Sequence, residues 1–248
     1  MTFEAYIALG DSMSIDTYPS QDAQSANLTE REDIGAAALL YSNESALFPE
    51  FQKKDLRSRL PKIKYANFAF DGATTHDLLS ETGLDVLTKY AASRALITLT
   101  LGGNDLLGTF NKVRQGDSKA LTREVQEIST RYLRIVKAIK SRVPACTLIL
   151  TTVYDPTDGT GIMPSTTLGN GQVPLEFLVL FNRFVESCVS REKAILADVY
   201  KHFFGHGAEC GSRQNFWYFS PSPIEPSDKG ASEIRRVWLE AVERVLTN

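Results

Sequence analysis

Phe3-Glu4-Ala5-Tyr6-Ile7-Ala8-Leu9-Gly10-Asp11-Ser12 decides the fold. Residues 3–9 are a short, mostly apolar, β-prone run that stops at a glycine, and the chain then turns through Asp11 and Ser12, which reads as a strand entering a tight turn. Four further runs share this character, at 65–70, 95–101, 147–153 and 194–199. Their near-continuous apolar content predicts strands covered on both faces. Between them, helical periodicity runs over 75–91, 119–142 and 174–192, and a last helix over 227–246 closes the chain. In the second of these, Leu121, Val125, Ile128, Tyr132, Ile135 and Ile139 recur at spacings of three and four, an apolar stripe for one face of a sheet. The last has Ser227 as a candidate N-cap, Asp228 near its positive end, and Ile234, Val237, Trp238, Ala241 and Val245 as its stripe. Alternating strands and helices predict an α/β fold with a five-stranded parallel sheet and right-handed crossovers. Ligands in such folds sit outside the carboxyl ends of the strands.

At 248 residues, with no repeat, low-complexity tract or linker, the chain is expected to form a single domain over 1–248. Its 43% hydrophobic and 23% charged residues exclude a disordered chain. With 27 basic against 30 acidic residues, the net charge of −3 removes the electrostatic footprint of a nucleic-acid binder. The start carries no basic segment followed by an apolar stretch, and no apolar run approaches the ~20 residues of a membrane span. Cys146, Cys188 and Cys210 are odd in number and widely spaced, which suits a reduced compartment and gives no metal-ligand spacing. The resulting expectation is a cytoplasmic protein of undetermined oligomeric state. The stretch 155–171 reads as a long Gly-rich loop at a strand end, and loops of that length are commonly functional.

Three strands end in small residues beside reactive side chains: Gly10-Asp11-Ser12, Asp71-Gly72-Ala73 and Gly102-Gly103-Asn104-Asp105. A serine nucleophile needs an exposed hydroxyl, a base to take its proton, and donors aimed at the developing oxyanion. Ser12, the Gly72 N–H and the Asn104 amide meet the first and last of these needs. In order and spacing these blocks resemble those of the SGNH, or GDSL-type, hydrolases: the serine block at 10–12, the glycine block at Gly72 and the asparagine block at 102–105. The resemblance implies a three-layer α/β/α, flavodoxin-like sandwich and hydrolysis of esters or acyl groups through an acyl-serine. Ser12 would be the nucleophile, with the Ser12 and Gly72 N–H groups and the Asn104 amide as the oxyanion hole. It implies a small-molecule ester or acylated substrate and no cofactor.

The fourth block departs from the pattern. Where the family has Asp-x-x-His before the last helix, this chain has Ser222-Pro223-Ile224-Glu225-Pro226, with Glu225 at the position of the histidine and Ser222 at that of the aspartate. Three readings follow. Glu225 is itself the base, its pKa raised by an enclosed cleft; or a histidine substitutes, His206 or His202, both after the fifth predicted strand, with Glu225 free to orient it; or the fold is kept for binding without efficient hydrolysis. A nucleotide or flavin binder is disfavoured because the first turn lacks both GxGxxG and the P-loop pattern.

Other residues have plainer readings. Asp11 supports the turn, Asp105 is a helix N-terminal acid, His76 faces solvent or caps a helix, and Asp155 and Asp158 shape a loop before they touch a substrate. No cluster of His, Cys or carboxylates has a ligand arrangement that calls for a metal. Four adjacent aromatics, Phe216 to Phe219, are expected to pack in the core or to wall the substrate pocket, and the polar segment 17–33 to cap it.

Overall fold

The computed structural model describes residues 2–112, 116–163 and 172–246. In chain order its elements are β1 (Ala5–Gly10), α1 (Thr17–Ser25), α2 (Ala36–Tyr41), α3 (Leu56–Arg59), β2 (Lys64–Asn67), α4 (Thr75–Leu78), β3 (Ala95–Thr100), α5 (Gly103–Lys112), α6 (Ser118–Arg142), β4 (Thr147–Thr151), α7 (Leu175–Glu192), β5 (Ile195–Ala197), α8 (Val199–Phe203), β6 (Tyr218–Phe219), β7 (Ser222–Pro226) and α9 (Asp228–Leu246). Strands β1 to β5 form one parallel sheet in the order β2-β1-β3-β4-β5, and β6 and β7 pair antiparallel beside it.

Strand alternation explains the unbroken apolar runs. Along β1, Tyr6 and Ala8 join a core with Leu40, Ile234 and Trp238, whereas Ala5, Ile7 and Leu9 join a second core with Ile128, Tyr132 and Phe181. Successive side chains thus enter opposite layers, and both layers are buried. All six residues of the predicted stripe on α6 are buried. Ser227 caps α9, its Oγ accepting the Gly230 N–H at 3.0 Å, and the Trp238 indole donates to Thr151 Oγ1 at 2.9 Å, tying that helix to β4.

The stretch 75–91 is not one helix. α4 ends at Leu78, the chain folds back so tightly that a Cβ on Gly83 would lie 2.3 Å from the Asp77 carbonyl oxygen, and a 3-10 segment follows at Asp85–Tyr90. Of the loop expected over 155–171, residues 164–171 lie outside the described residues.

The sheet order places the site. From β1 the chain moves outward to β2 and then back to β3 on the other side of β1, so the loops after β1 and β3 diverge at a switch point and open a crevice between them. Gly10 makes this geometry possible. At φ +123° it lies so close to β3 that a Cβ would stand 1.6 Å from the Thr100 carbonyl oxygen, and only glycine fits.

Candidate active site

Ser12 opens a 3-10 turn, Ser12–Ser14, directly after β1. The turn is pinned from several sides: Asp11 N–H donates to the Thr100 carbonyl at 3.0 Å, Asp11 Oδ1 accepts Met13 N–H at 3.2 Å, and the Ser14 and Thr100 hydroxyls share a hydrogen bond of 2.8 Å. Asn67, at the end of β2, donates to the Ser14 carbonyl at 2.9 Å. Asp11 is buried, and that burial pushes its carboxyl up to about 6.

Asn104 sits in the first turn of α5. Its Nδ2 donates to the Ala73 carbonyl at 3.1 Å, which fixes the amide against the turn that carries Gly72 and leaves its second N–H for another acceptor. Gly72 has φ +73° and open space where a Cβ would be, so backbone conformation and not room selects glycine there. Its N–H has no partner among the described residues. Asp105, one residue beyond Asn104, accepts Thr75 N–H at 2.9 Å and Thr75 Oγ1–H at 2.6 Å and pairs with Arg131 at 3.4 Å. It locks α5 to α4.

Glu225 reaches the site from β7. It is 7% exposed, and burial pushes its carboxyl up to about 7, helped by the charges of Asp71 and Asp11 and opposed by hydrogen bonding with Ser12. Glu225 Oε2 is buried with no hydrogen-bond partner. Tyr154, just past β4, anchors the hairpin by donating its hydroxyl to the Ile224 carbonyl at 2.7 Å. Ser12, Asn104 and Glu225 line one pocket with Asp11, Tyr154 and Asp155, and the rest of its wall is apolar, chiefly Met13, Leu106, Leu107, Phe110, Val153, Met163, Val173, Leu175 and Leu178. The cavity measures about 70 Å³.

Neither histidine proposed as a base is in that lining. His206 stacks on the Trp217 indole with centroids 3.4 Å apart and planes within 4°, and its Nδ1–H donates to the Asn215 carbonyl at 2.9 Å. His202 lies 5.1 Å from the same indole and donates from Nε2 to Glu233 Oε2 at 2.8 Å. Against burial, hydrogen bonds from His202 and Arg236 hold the Glu233 carboxyl down to about 2. His206 and His202 are therefore held by packing and pairing outside the lining of the serine pocket, and the structure does not bring either imidazole to Ser12.

The aromatic run takes the first of its two expected places, the core. Trp217 and Tyr218 are buried in the core beside Phe203 and Tyr154, Phe219 is buried next to the Tyr18 ring, and none of the three is in the lining of the serine pocket. The wall comes instead from α5, the loop after β4 and the start of α7. Leu106, Leu107 and Phe110, just after Asn104 at spacings of one, three and four, carried the signal for it, but the sequence there reads only as a turn. Asp155 serves its loop, accepting Thr157 N–H, Thr157 Oγ1–H and Gly159 N–H, while also facing the pocket. Within 17–33, residues Thr17–Ser25 are helical and pack on α9 and the β6–β7 hairpin, and Tyr18 donates its hydroxyl to Asp71 Oδ2 at 2.8 Å. Among the described residues, no three His, Cys, Asp or Glu side chains converge as a metal site would require, and no helix is long and apolar enough to cross a membrane.

The sequence profile of the GDSL-like Lipase/Acylhydrolase family matches residues 8–231. No curated protein sequence matches the chain. Among solved structures, the fold is similar to a phospholipase A1 from Streptomyces albidoflavus (TM-score 0.63, 18% identity, covering 98% of this chain and 99% of that one). It is also similar to an extracellular lipase from Streptomyces rimosus (0.60, 21%, 97% and 100%). A variant of an acetyl xylan esterase from Geobacillus stearothermophilus gives 0.61 at 15% identity, with 97% and 95% covered. At these identities the structural likeness speaks for the fold alone.

Proposed function

The chain belongs to the GDSL-like lipase/acylhydrolase family and is an ester-hydrolysing enzyme, and from that premise we propose that Ser12 is its nucleophile and Glu225 its general base. The observation that carries this reading is the state of Glu225: a buried carboxylate that lines the same pocket as Ser12, one oxygen unpartnered, its pKa pushed up to about 7. An ordinary glutamate near 4.3 is a poor acceptor for a hydroxyl proton, whereas one near 7 is matched to neutral pH and about half ionised there.

In this mechanism Glu225 takes the Ser12 hydroxyl proton as Oγ attacks the ester carbonyl. The resulting oxyanion accepts hydrogen bonds from the free Asn104 N–H and from Gly72 N–H, donors already fixed before the reaction. As the tetrahedral intermediate collapses, protonated Glu225 returns the proton to the departing alkoxide, giving the alcohol and an acyl-Ser12. Water then attacks the acyl group, Glu225 removes its proton, and Glu225 returns that proton to Ser12 as the acid leaves. The apolar wall beside Asn104 suits an uncharged aliphatic acyl group, because the lining offers no Lys, Arg or His to an anionic one.

Hydrolysis of p-nitrophenyl butyrate tests the reading. Turnover above background that is abolished in Ser12→Ala and in Glu225→Gln is expected. A protein whose rate equals that of Ser12→Ala is a binder on this fold, and full activity in Glu225→Gln removes Glu225 as the base.

A further inference from the structure

The two proposed oxyanion donors stand on separate turns, Gly72 just before α4 and Asn104 in the first turn of α5. Contacts outside the pocket tie those turns together. Asn104 Nδ2 donates to the Ala73 carbonyl at 3.1 Å, and its neighbour Asp105 accepts the Thr75 N–H at 2.9 Å and the Thr75 hydroxyl at 2.6 Å. Ala73, Thr75 and Asp105 are all absent from the lining of the serine pocket.

A third element closes the cluster. Arg131, on α6, donates from Nε to Thr75 Oγ1 at 2.7 Å and from Nη2 to Asp105 Oδ1 at 3.4 Å, so one guanidinium bridges the segment that follows Gly72 and the segment that carries Asn104. Arg131 stands out on its helix. It lies three residues after Ile128 and four before Ile135, on the buried side of α6, and its side chain is only 16% exposed. Six apolar residues already pack that face, so the helix has no need of a cation there. The Asp105 side chain is 3% exposed, and a carboxylate so enclosed requires a partner. Thr75 is fully buried between them, its hydroxyl donating to Asp105 and accepting from Arg131. A planar fork meets two acceptors at a fixed spacing, which the point charge of an ammonium does not.

We infer that Arg131 is a positioning residue for ester hydrolysis: through Thr75 and Asp105 it holds the Asn104 amide and the Gly72 N–H at the spacing the oxyanion requires, without itself touching the substrate. The inference rests on the reading of Asn104 and Gly72 as oxyanion donors. Deleting such a donor costs about 10²- to 10³-fold in kcat, and misplacing it costs part of that.

The test compares Arg131→Ala, Arg131→Lys and Thr75→Val with Asn104→Ala in hydrolysis of p-nitrophenyl butyrate, with a melting curve for each. Arg131→Ala is expected to lower kcat by about 10- to 30-fold with KM within about twofold, because the donors act on charge that exists only after attack. Arg131→Lys keeps a charge for Asp105 and should melt near the unaltered protein, yet lose about fivefold in kcat for want of the fork. Thr75→Val keeps the branched shape without the hydroxyl, and it should show the same loss in kcat even where Arg131→Ala does not fold. In an Asn104→Ala background, Arg131→Ala should cost less than about threefold more, since the amide it positions is gone. Losses that multiply, a change confined to KM, or an unaltered kcat in folded Arg131→Lys and Thr75→Val overturns the inference, the last because a role in folding alone moves the melting curve and not kcat. Hydrogen exchange of the bonded Asn104 side-chain N–H, followed by NMR, needs no turnover and so separates this failure from failure of the mechanism. Exchange about tenfold faster in Arg131→Lys, without Ser12-dependent hydrolysis, upholds the positioning of the amide and removes the mechanism. Unchanged exchange together with Ser12-dependent hydrolysis does the reverse.

Discussion

Residues 200–206 and residues 222–226 each carry a candidate base, and the two stand in different surroundings. The first stretch holds two imidazoles, the better acceptors in water. Both are committed: His206 lies flat on Trp217 with its Nδ1–H bonded to a carbonyl, and His202 is paired to a Glu233 carboxyl that it helps hold down to about 2. The second stretch holds one carboxylate, weaker in water, yet Glu225 keeps an unpartnered oxygen and is pushed up to about 7 by burial. Whether a group serves as a base depends on what its surroundings leave unused, more than on its pKa in a free peptide.

Paired substitutions strain this contrast hardest. Glu225→Gln is expected to lower kcat for p-nitrophenyl butyrate by about 10²- to 10⁴-fold, the usual worth of a positioned base, while His202→Ala and His206→Ala each stay within about threefold. Steady-state kinetics on folded protein checks it, and the opposite pattern would transfer the base to residues 200–206.

Asn104→Ala comes next. Its amide would act on charge that exists only after attack, so the loss should be about 10²- to 10³-fold and fall on kcat more than on KM. The same change removes the bond to the Ala73 carbonyl, so a melting curve must accompany the rates. A loss confined to KM would make Asn104 a ground-state contact.

The third prediction follows from the sign of the Glu225 shift. A carboxyl whose pKa rises from 4.5 to about 7 on folding binds its proton more tightly in the folded state. Its contribution to stability is therefore fully present below about pH 4.5 and is lost as pH rises toward 7. Glu225→Gln removes this loss. Relative to the unaltered protein, the variant should gain on the order of 2 kcal/mol between pH 4.5 and 8, read from urea unfolding at both pH values. The rate should change the other way, with kcat/KM of the unaltered enzyme falling as Glu225 is protonated below about pH 7. No change in the stability difference with pH would mean that Glu225 is solvated and has an ordinary pKa.

How much of this was legible in the sequence differs between the sheet and the hairpin, for a physical reason. Each strand of the sheet is covered on both faces, so its composition is apolar without interruption, and all five strands and their parallel order follow from runs such as Tyr6-Ile7-Ala8-Leu9 and the helices between them. That Ser12 and Asn104 would share a pocket was legible because each follows a strand through a glycine-bearing turn, and strand ends converge on one edge. The pair β6–β7 had no such signal: two strands of two and five residues, one of them ending in proline, show no periodicity that separates them from loop. The fate of the histidines was hidden for a related reason. His202 and His206 flank one another in sequence, but what removes them from the site is Trp217, eleven residues past His206, and Glu233 on α9, and those contacts exist only once the chain has folded. The pocket wall was missed because Leu106, Leu107 and Phe110 follow the Gly-Gly-Asn-Asp turn so closely that the turn masked the start of α5.

The smallest expected effect bears on the same hidden contacts. If His206 is a structural residue, His206→Ala should cost stability where it spares rate. Losing a parallel ring stack at 3.4 Å and a hydrogen bond to the Asn215 carbonyl should lower unfolding free energy by about 1 kcal/mol, with kcat unchanged within about threefold. His206→Phe keeps a flat ring for the indole but no donor for the carbonyl, so it should recover only part of the loss. Recovery of rate by His206→Phe after a fall in His206→Ala would mean that the loop acts on the site through packing. A fall in rate shared by both variants, with stability intact, would mean that the imidazole itself reaches the reaction. The comparison between residues 200–206 and 222–226 would then have to be redrawn, with Glu225 as the residue that orients a histidine.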